Sequence, residues 1–330
     1  MKKYQVVGIG NALVDILAPC EDAFLDTHGV EKGIMQLIDG PRAVELYGVM
    51  GPAQERSGGS AANTIAGLAA LGDRCAYVGK VKADQLGDIF EHDIRAQGVG
   101  YTVPRAPADA DHETGRCMVL ITPDAERSMN TYLGVSETLG PDDIDVDQMA
   151  DTDWIYLEGY RFDGSAGHAA FAKAIEATKA AGGRVSLSLS DPFCVERHRD
   201  AFRAMIRDHV DLLFANEHEI QAMYQTADVP SAISAAAAEV GIVACTLGPR
   251  GATVVKDSAE SHAPAEAAQV VDATGAGDLF AAGFLHGVVA GADMLSAGRM
   301  GNIAAGEVIS HVGARPEASL SALFRDAGLT

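Results

Sequence analysis

Basic residues are scarce in this chain: 25 Lys and Arg stand against 46 Asp and Glu in 330 residues, a formal net charge of −21. That balance opposes non-specific association with nucleic acid or with anionic membrane. Small partners are expected, and an anionic one must be held locally by amides, basic side chains and metal ions. Disulfide staples are missing too. Cys20, Cys75, Cys117, Cys194 and Cys245 are odd in number and scattered, without a C-x-x-C pair or a Cys/His spacing, and read as reduced thiols. No apolar run approaches the roughly 18 residues of a membrane span, and the stretch after Lys2-Lys3 is too short for a secretory core, so a cytoplasmic protein is expected. Two common nucleotide fingerprints are also absent. No G-x-x-x-x-G-K-[ST] occurs, and Gly8-Ile9-Gly10 is followed by Leu13 where a dinucleotide site wants a third glycine and by Pro19 where it wants a helix.

What is there is a chain with 48% hydrophobic residues, enough for a substantial core. From Asp153 onward, short apolar strands alternate with helical segments. Trp154–Leu157, Arg184–Leu189, Asp211–Ala215 and Ile242–Thr246 read as strands, with helices over Gly167–Ala181, Arg199–His209, Glu217–Tyr224 and Ser231–Val240. A hairpin follows at Ala252–Ala263, then two apolar helices after Gly277 and near Leu295–Ile309. Such alternation predicts an α/β fold with a mostly parallel sheet, ligands sitting beyond the strand C-termini. Asn11 to about Gln54 and Arg116 to Tyr132 instead read as strands that leave that sheet.

The most informative stretch is Asp272-Ala273-Thr274-Gly275-Ala276-Gly277-Asp278, running into an apolar helix. The first N–H groups of a helix have no intrahelical partner and lie at the positive end of its dipole, which makes an anion site. Asp278 on the first turn either complements that dipole or takes a proton from a hydroxyl while the amides stabilise a transferring phosphoryl group. Three further motifs sit at strand-to-helix junctions: Ser57-Gly58-Gly59-Ser60-Ala61-Ala62-Asn63, Asn216-Glu217-His218-Glu219, and Thr246-Leu247-Gly248-Pro249-Arg250-Gly251. By themselves the first is a flexible loop or a cap, and the second is a capping box with Asn at the N-cap and Glu three residues on.

Taken in order, the four motifs resemble those of the PfkB/ribokinase family of carbohydrate and nucleoside kinases, whose C-terminal signature carries Thr where this chain has Ala273. The resemblance implies a ribokinase-like fold: one domain over 1–330, its mostly parallel central sheet flanked by helices, with a small β lid inserted from about 11–54 and 102–135. It implies Asp278 as catalytic base and Gly275, Ala276 and Gly277 as the anion hole. Substrate would be held by Asn11, Asp15, Gly58, Gly59, Ser60 and Asn63, an acceptor-only carboxylate such as Asp15 suiting two hydroxyl donors; from the bare sequence, Asp15 is equally a turn residue bonding its own backbone. ATP is implied as the donor, its phosphates and ribose framed by Asn216, Thr246, Gly248 and Gly251, its adenine by Asn302. Glu219 would hold Mg²⁺ through water. Asp272 and Thr274 would hold a monovalent cation such as K⁺. Relatives of this kind exist as monomers or homodimers.

The run Gly10–Ile16, then Phe24-Leu25-Asp26, Gln36, Arg127-Ser128, Leu189–Phe193 and Asp211–Glu217 resemble the adenosine kinases of the family. On that likeness Gln36 faces the purine and Arg127 approaches the phosphates under a closing lid. Gly159-Tyr160-Arg161-Phe162 departs from the paired aromatics expected near the base, and Arg161 there leaves room for another nucleoside or an acidic sugar. The expected reaction is transfer from ATP to the 5′-hydroxyl of adenosine. The alternatives are a sugar kinase acting on ribose, fructose or 2-keto-3-deoxygluconate, and a nucleoside sensor without catalysis.

Overall fold

The computed structural model describes residues 2–124, 126–164 and 166–329. Among these, nine strands form one sheet in the order Ala259–Ala263, Ala252–Lys256, Ile242–Thr246, Leu212–Asn216, Arg184–Ser188, Thr152–Glu158, Tyr4–Ile9, Cys75–Val78 and Gly100–Tyr101. Seven run parallel, and the 252–263 hairpin closes one edge antiparallel. The central strands are buried along nearly their whole length, which is why they read as continuous apolar runs rather than alternating ones. All the parallel strands point their C-termini to one side, and the four motifs lie on that side.

A second sheet of five strands has the order Met35–Leu37, Arg127–Tyr132, Gly115–Ile121, Leu13–Pro19 and Gln54–Gly58. It forms the lid. Its last strand extends four residues beyond the expected limit near 54, because Gln54–Gly58 pairs antiparallel with Leu13–Leu17 and leads directly into the helix Ser60–Ala70. The strands expected before Gln54 are Leu13–Pro19 and Met35–Leu37, and two helices outside that expectation, Asp22–His28 and Gly40–Val49, lie between and after them. The second starts where Asp39 accepts the Arg42 N–H and Pro41 falls in the first turn, and it buries Ala43 and Leu46. The helix expected at Arg199–His209 begins earlier, at Pro192, with non-helical backbone at His198.

The helix Ala276–Ala290 is apolar almost all round because it is wedged between the helices Met294–Val308 and Ser60–Ala70. Burial on two sides fixes its N-terminus. That rigidity positions the site.

Candidate active site

Gly275 caps this helix in the left-handed region (φ 81°), a conformation glycine adopts without strain, and a Cβ there would lie 2.6 Å from the Ala314 Cβ. At Gly277 a Cβ would meet nothing within 4 Å, so the amide edge of the first turn is open. Asp278 stands on that turn. Its carboxylate accepts the Ser60 hydroxyl at 2.6 Å and the Asn63 amide at 2.9 Å. Burial pushes its pKa up, against these two hydrogen bonds and the charge of Arg315.

Two cavities meet at this carboxylate. One, of about 470 Å³, lies under the lid and is lined by Leu13, Asp15, Met35, Leu37, Met129, Leu133, Tyr160 and the Gly59–Asn63 turn. The other, of about 400 Å³, runs beside strands Leu212–Asn216 and Ile242–Thr246 and is lined by Asn216, Thr246, Gly248 and Phe280. Ser60, Glu219, Ala276, Gly277 and Asp278 line both. A group bound in one cavity and a group bound in the other therefore face each other across the helix start.

The Asp15 carboxylate holds no hydrogen bond to the described residues, and Asp15 lines the larger cavity. Its pKa is pushed up to about 7, chiefly by burial, with Arg315 opposing, Asp278 adding and Arg127 opposing. Gly58 makes room for it: a Cβ at 58 would sit 2.2 Å from the Asp15 carboxyl. Gly59 has φ 96° and would clash with the Asn11 carbonyl at 2.1 Å. Asn63 is buried, and its Oδ1 has no partner among the described residues.

Asn216 and Glu219 form the full capping box. The Asn216 Oδ1 accepts the Glu219 N–H at 2.8 Å, while Glu219 accepts the Asn216 backbone N–H at 2.9 Å and its amide at 2.7 Å. The capping role leaves the carboxylate at the cavities, both of which it lines. Burial raises the Glu219 pKa to about 7, opposed by the Asn216 N–H and reinforced by Asp191 and Asp278. Among the described residues no three His, Cys, Asp or Glu side chains are grouped to ligate a metal directly. A single carboxylate with free lone pairs between two cavities suits a hydrated Mg²⁺ instead.

Several expected residues are placed elsewhere. Gln36 points to the opposite face of its lid strand from Met35 and Leu37, where its amide donates to Asn130 at 2.6 Å. Asn302 donates to the carbonyls of Ala263 and Pro264, both at 2.9 Å, tying the following loop to its helix, and lines neither cavity. Gly251 serves the hairpin, since a Cβ would lie 2.1 Å from the Ala263 carbonyl oxygen. Asn11 reaches the cavity wall, but its Oδ1 accepts from Ser136 and Arg161 and its Nδ2 donates to Glu158. It positions more than it binds. The Asp272 carboxylate accepts the Thr274 and Gly313 N–H groups and is ion-paired with Arg127 from the lid. A guanidinium thus already supplies the positive charge there, so Asp272 and Thr274 do not fit a K⁺ site, and Arg127 is docked on a carboxylate.

Arg161 is buried away from the cavity, 1% exposed, donating to Asn11, Ser136 and Leu139 at 2.7–3.0 Å. It lines neither cavity, whereas Tyr160 beside it lines the wall of the larger one. Glu158 is the site residue that sequence reasoning missed. It accepts the Asn11 and Ala61 N–H groups at 3.1 and 2.8 Å, lines the larger cavity, and is pushed up to about 7, mainly by burial. A carboxylate closing the apolar strand Thr152–Glu158 at its C-terminus was the available signal.

Residues 46–320 match the profile of the pfkB family carbohydrate kinases. The chain is similar to a probable sugar kinase from Rhizobium etli CFN 42, 45% identical with a TM-score of 0.95 and 100% of both chains covered. It is 46% identical to an adenosine kinase from Sinorhizobium meliloti, with a TM-score of 0.93 over 98% of this chain and 99% of that one. An uncharacterized sugar kinase from Archaeoglobus fulgidus is 30% identical over 76% of this chain and 96% of its own. Among the described residues no helix is long and apolar enough to cross a membrane.

Proposed function

We propose, from the premise that the chain belongs to the pfkB family of carbohydrate kinases, that it is a nucleoside kinase transferring the γ-phosphoryl of ATP to the 5′-hydroxyl of adenosine or a close relative. The observation that carries this reading is the make-up of the larger cavity: a polar floor of Asp15, Gly59 and Asn63 under an apolar wall of Met35, Leu37, Met129, Leu133 and Tyr160. A free sugar has no use for that wall, whereas a planar base is desolvated by it. The adenosine kinase from Sinorhizobium meliloti, at 46% identity, supports the same assignment. Burial of Arg161 removes the charge that would have favoured an acidic acceptor.

In this reading Asp278 accepts the proton of the attacking hydroxyl as the new O–P bond forms and the bridging oxygen leaves with ADP. The Gly275–Gly277 amides face the negative charge of the phosphoryl group in transit. Asp15 orients the sugar by taking two of its hydroxyl protons in hydrogen bonds. Glu219 would hold Mg²⁺ through its bound water, and the ion would supply positive charge to the nucleotide phosphates. The lid residues exclude water.

The sugar kinases at 45% and 30% identity favour a second reading, in which the acceptor is a free sugar. Coupled ADP-release assays with adenosine, inosine, ribose, fructose and 2-keto-3-deoxygluconate decide between them. The expected result is turnover of adenosine with kcat/KM at least about 100-fold above any free sugar, the discrimination about 3 kcal/mol of buried base supplies. Turnover confined to sugars overturns the nucleoside reading, and binding without turnover overturns catalysis.

A further inference from the structure

Arg315 lies in the segment after the helix Met294–Val308, outside every motif read from the sequence. Its guanidinium donates to the Ala62 carbonyl at 2.5 Å, the Ser57 carbonyl at 3.2 Å and the Ser57 hydroxyl at 3.1 Å. These contacts bracket the turn whose Ser60 and Asn63 hold Asp278. From the other side, Asp93 accepts the Ser57 N–H at 3.1 Å and its hydroxyl. Arg315 lines neither large cavity. It faces a void of about 20 Å³ behind the acceptor floor, shared with Asp15, Asn63, Arg56 and Arg127.

We propose that Arg315 is a positioning residue for phosphoryl transfer: it clamps the Ser57–Asn63 turn that presents Ser60 and Asn63 to Asp278, and sets a fixed positive charge beside Asp15 and Asp278. The inference rests on Asp278 being the base. A half-buried cation whose guanidinium has backbone and hydroxyl acceptors but no bound carboxylate costs stability unless its field is used. Here the groups facing it are Asp93 on the helix Gln85–Ala96, Asp15 on the lid, Asp278, and Tyr77 on a central strand. Its charge lowers the pKa of both Asp15 and Asp278 against the burial that raises them. Removing it leaves the base more often protonated at neutral pH.

The test compares Arg315→Met, Arg315→Lys and Asp278→Asn with wild type, measuring kcat and KM from pH 6 to 9 with adenosine or whichever acceptor wild type turns over. For Arg315→Met, kcat falls about 30-fold at pH 7 with acceptor KM raised less than about fivefold, the acid limb moves upward, and the deficit narrows as pH rises. Arg315→Lys, which keeps the charge, recovers most of the loss. A pH-independent loss that Lys does not recover, or no loss, overturns the proposal while leaving the base assignment intact. Near-full activity in Asp278→Asn overturns the base itself. Should Arg315→Met not fold, Ser57→Ala, which removes one acceptor and leaves the charge, is predicted to lower kcat about threefold with an unmoved acid limb; an unchanged kcat contradicts the clamp.

Discussion

The Ser60 hydroxyl donates to the Asp278 carboxylate at 2.6 Å across 218 positions of chain. This bond ties together the N-termini of two helices, one entered from the strand Gln54–Gly58 and one from the turn at residues 272–275. Asn63 adds the second donor at 2.9 Å. Both bonds favour the charged carboxylate against burial. Asn63→Ala is therefore expected to raise the pKa of Asp278, move the acid limb of kcat/KM upward and lower kcat about tenfold at pH 7. An unmoved limb contradicts this.

Gly58 and Gly59 predict different failures. The nearest atoms a methyl at 58 would meet are those of the Asp15 carboxyl, a side chain that turns aside, so Gly58→Ala is expected to fold and to raise acceptor KM about tenfold with the KM of ATP unchanged. A methyl at 59 meets backbone in a left-handed conformation, so Gly59→Ala is expected to cost about 2–4 kcal/mol of stability. Thermal melts and initial rates on both variants separate the two.

Asp15, Glu158 and Glu219 are raised from ordinary values of 3.8, 4.5 and 4.5 to about 7. In each case the folded state holds its proton more tightly than the unfolded chain. Their stabilising contribution is full below about pH 4 and is lost as pH rises through about 7. The ligand-free protein is thus expected to melt at higher temperature at pH 5.5 than at pH 7.5, while activity runs the other way because the carboxylates must ionise to work. A melting temperature that rises between those two pH values contradicts the assignment.

Arg161→Met removes three donors from Asn11, Ser136 and Leu139 and the counter-charge near Glu158. A loss of about 3–5 kcal/mol is expected, with the ratio of kcat/KM between nucleoside and sugar unchanged. A switch in preference at full stability would return Arg161 to the pocket.

The parts legible in the sequence are those where one local pattern has one geometric outcome. Glycine before an acid at the start of an apolar helix dictates an open amide edge with a carboxylate on it, and the buried parallel strands announce themselves as unbroken apolar runs. The missed parts depend on the face a side chain takes or on a distant partner. Gln36 sits one residue from two cavity-lining neighbours, and strand alternation turns it outward. Arg127, Arg161 and Arg315 find carboxylates and carbonyls between about 22 and 260 positions away, which no local spacing encodes. Asn302 and Gly251 lie near the right strands, but Asn302 donates to the Ala263 carbonyl and Gly251 packs its backbone against the same residue.

Central to this account is proton removal by Asp278. The most direct measurement is the kcat of Asp278→Asn beside its affinity for acceptor nucleoside, determined by calorimetry. The account predicts that kcat drops by about 10³-fold or more while the acceptor dissociation constant stays within about fivefold of wild type. A variant that turns over at near wild-type rate would contradict it.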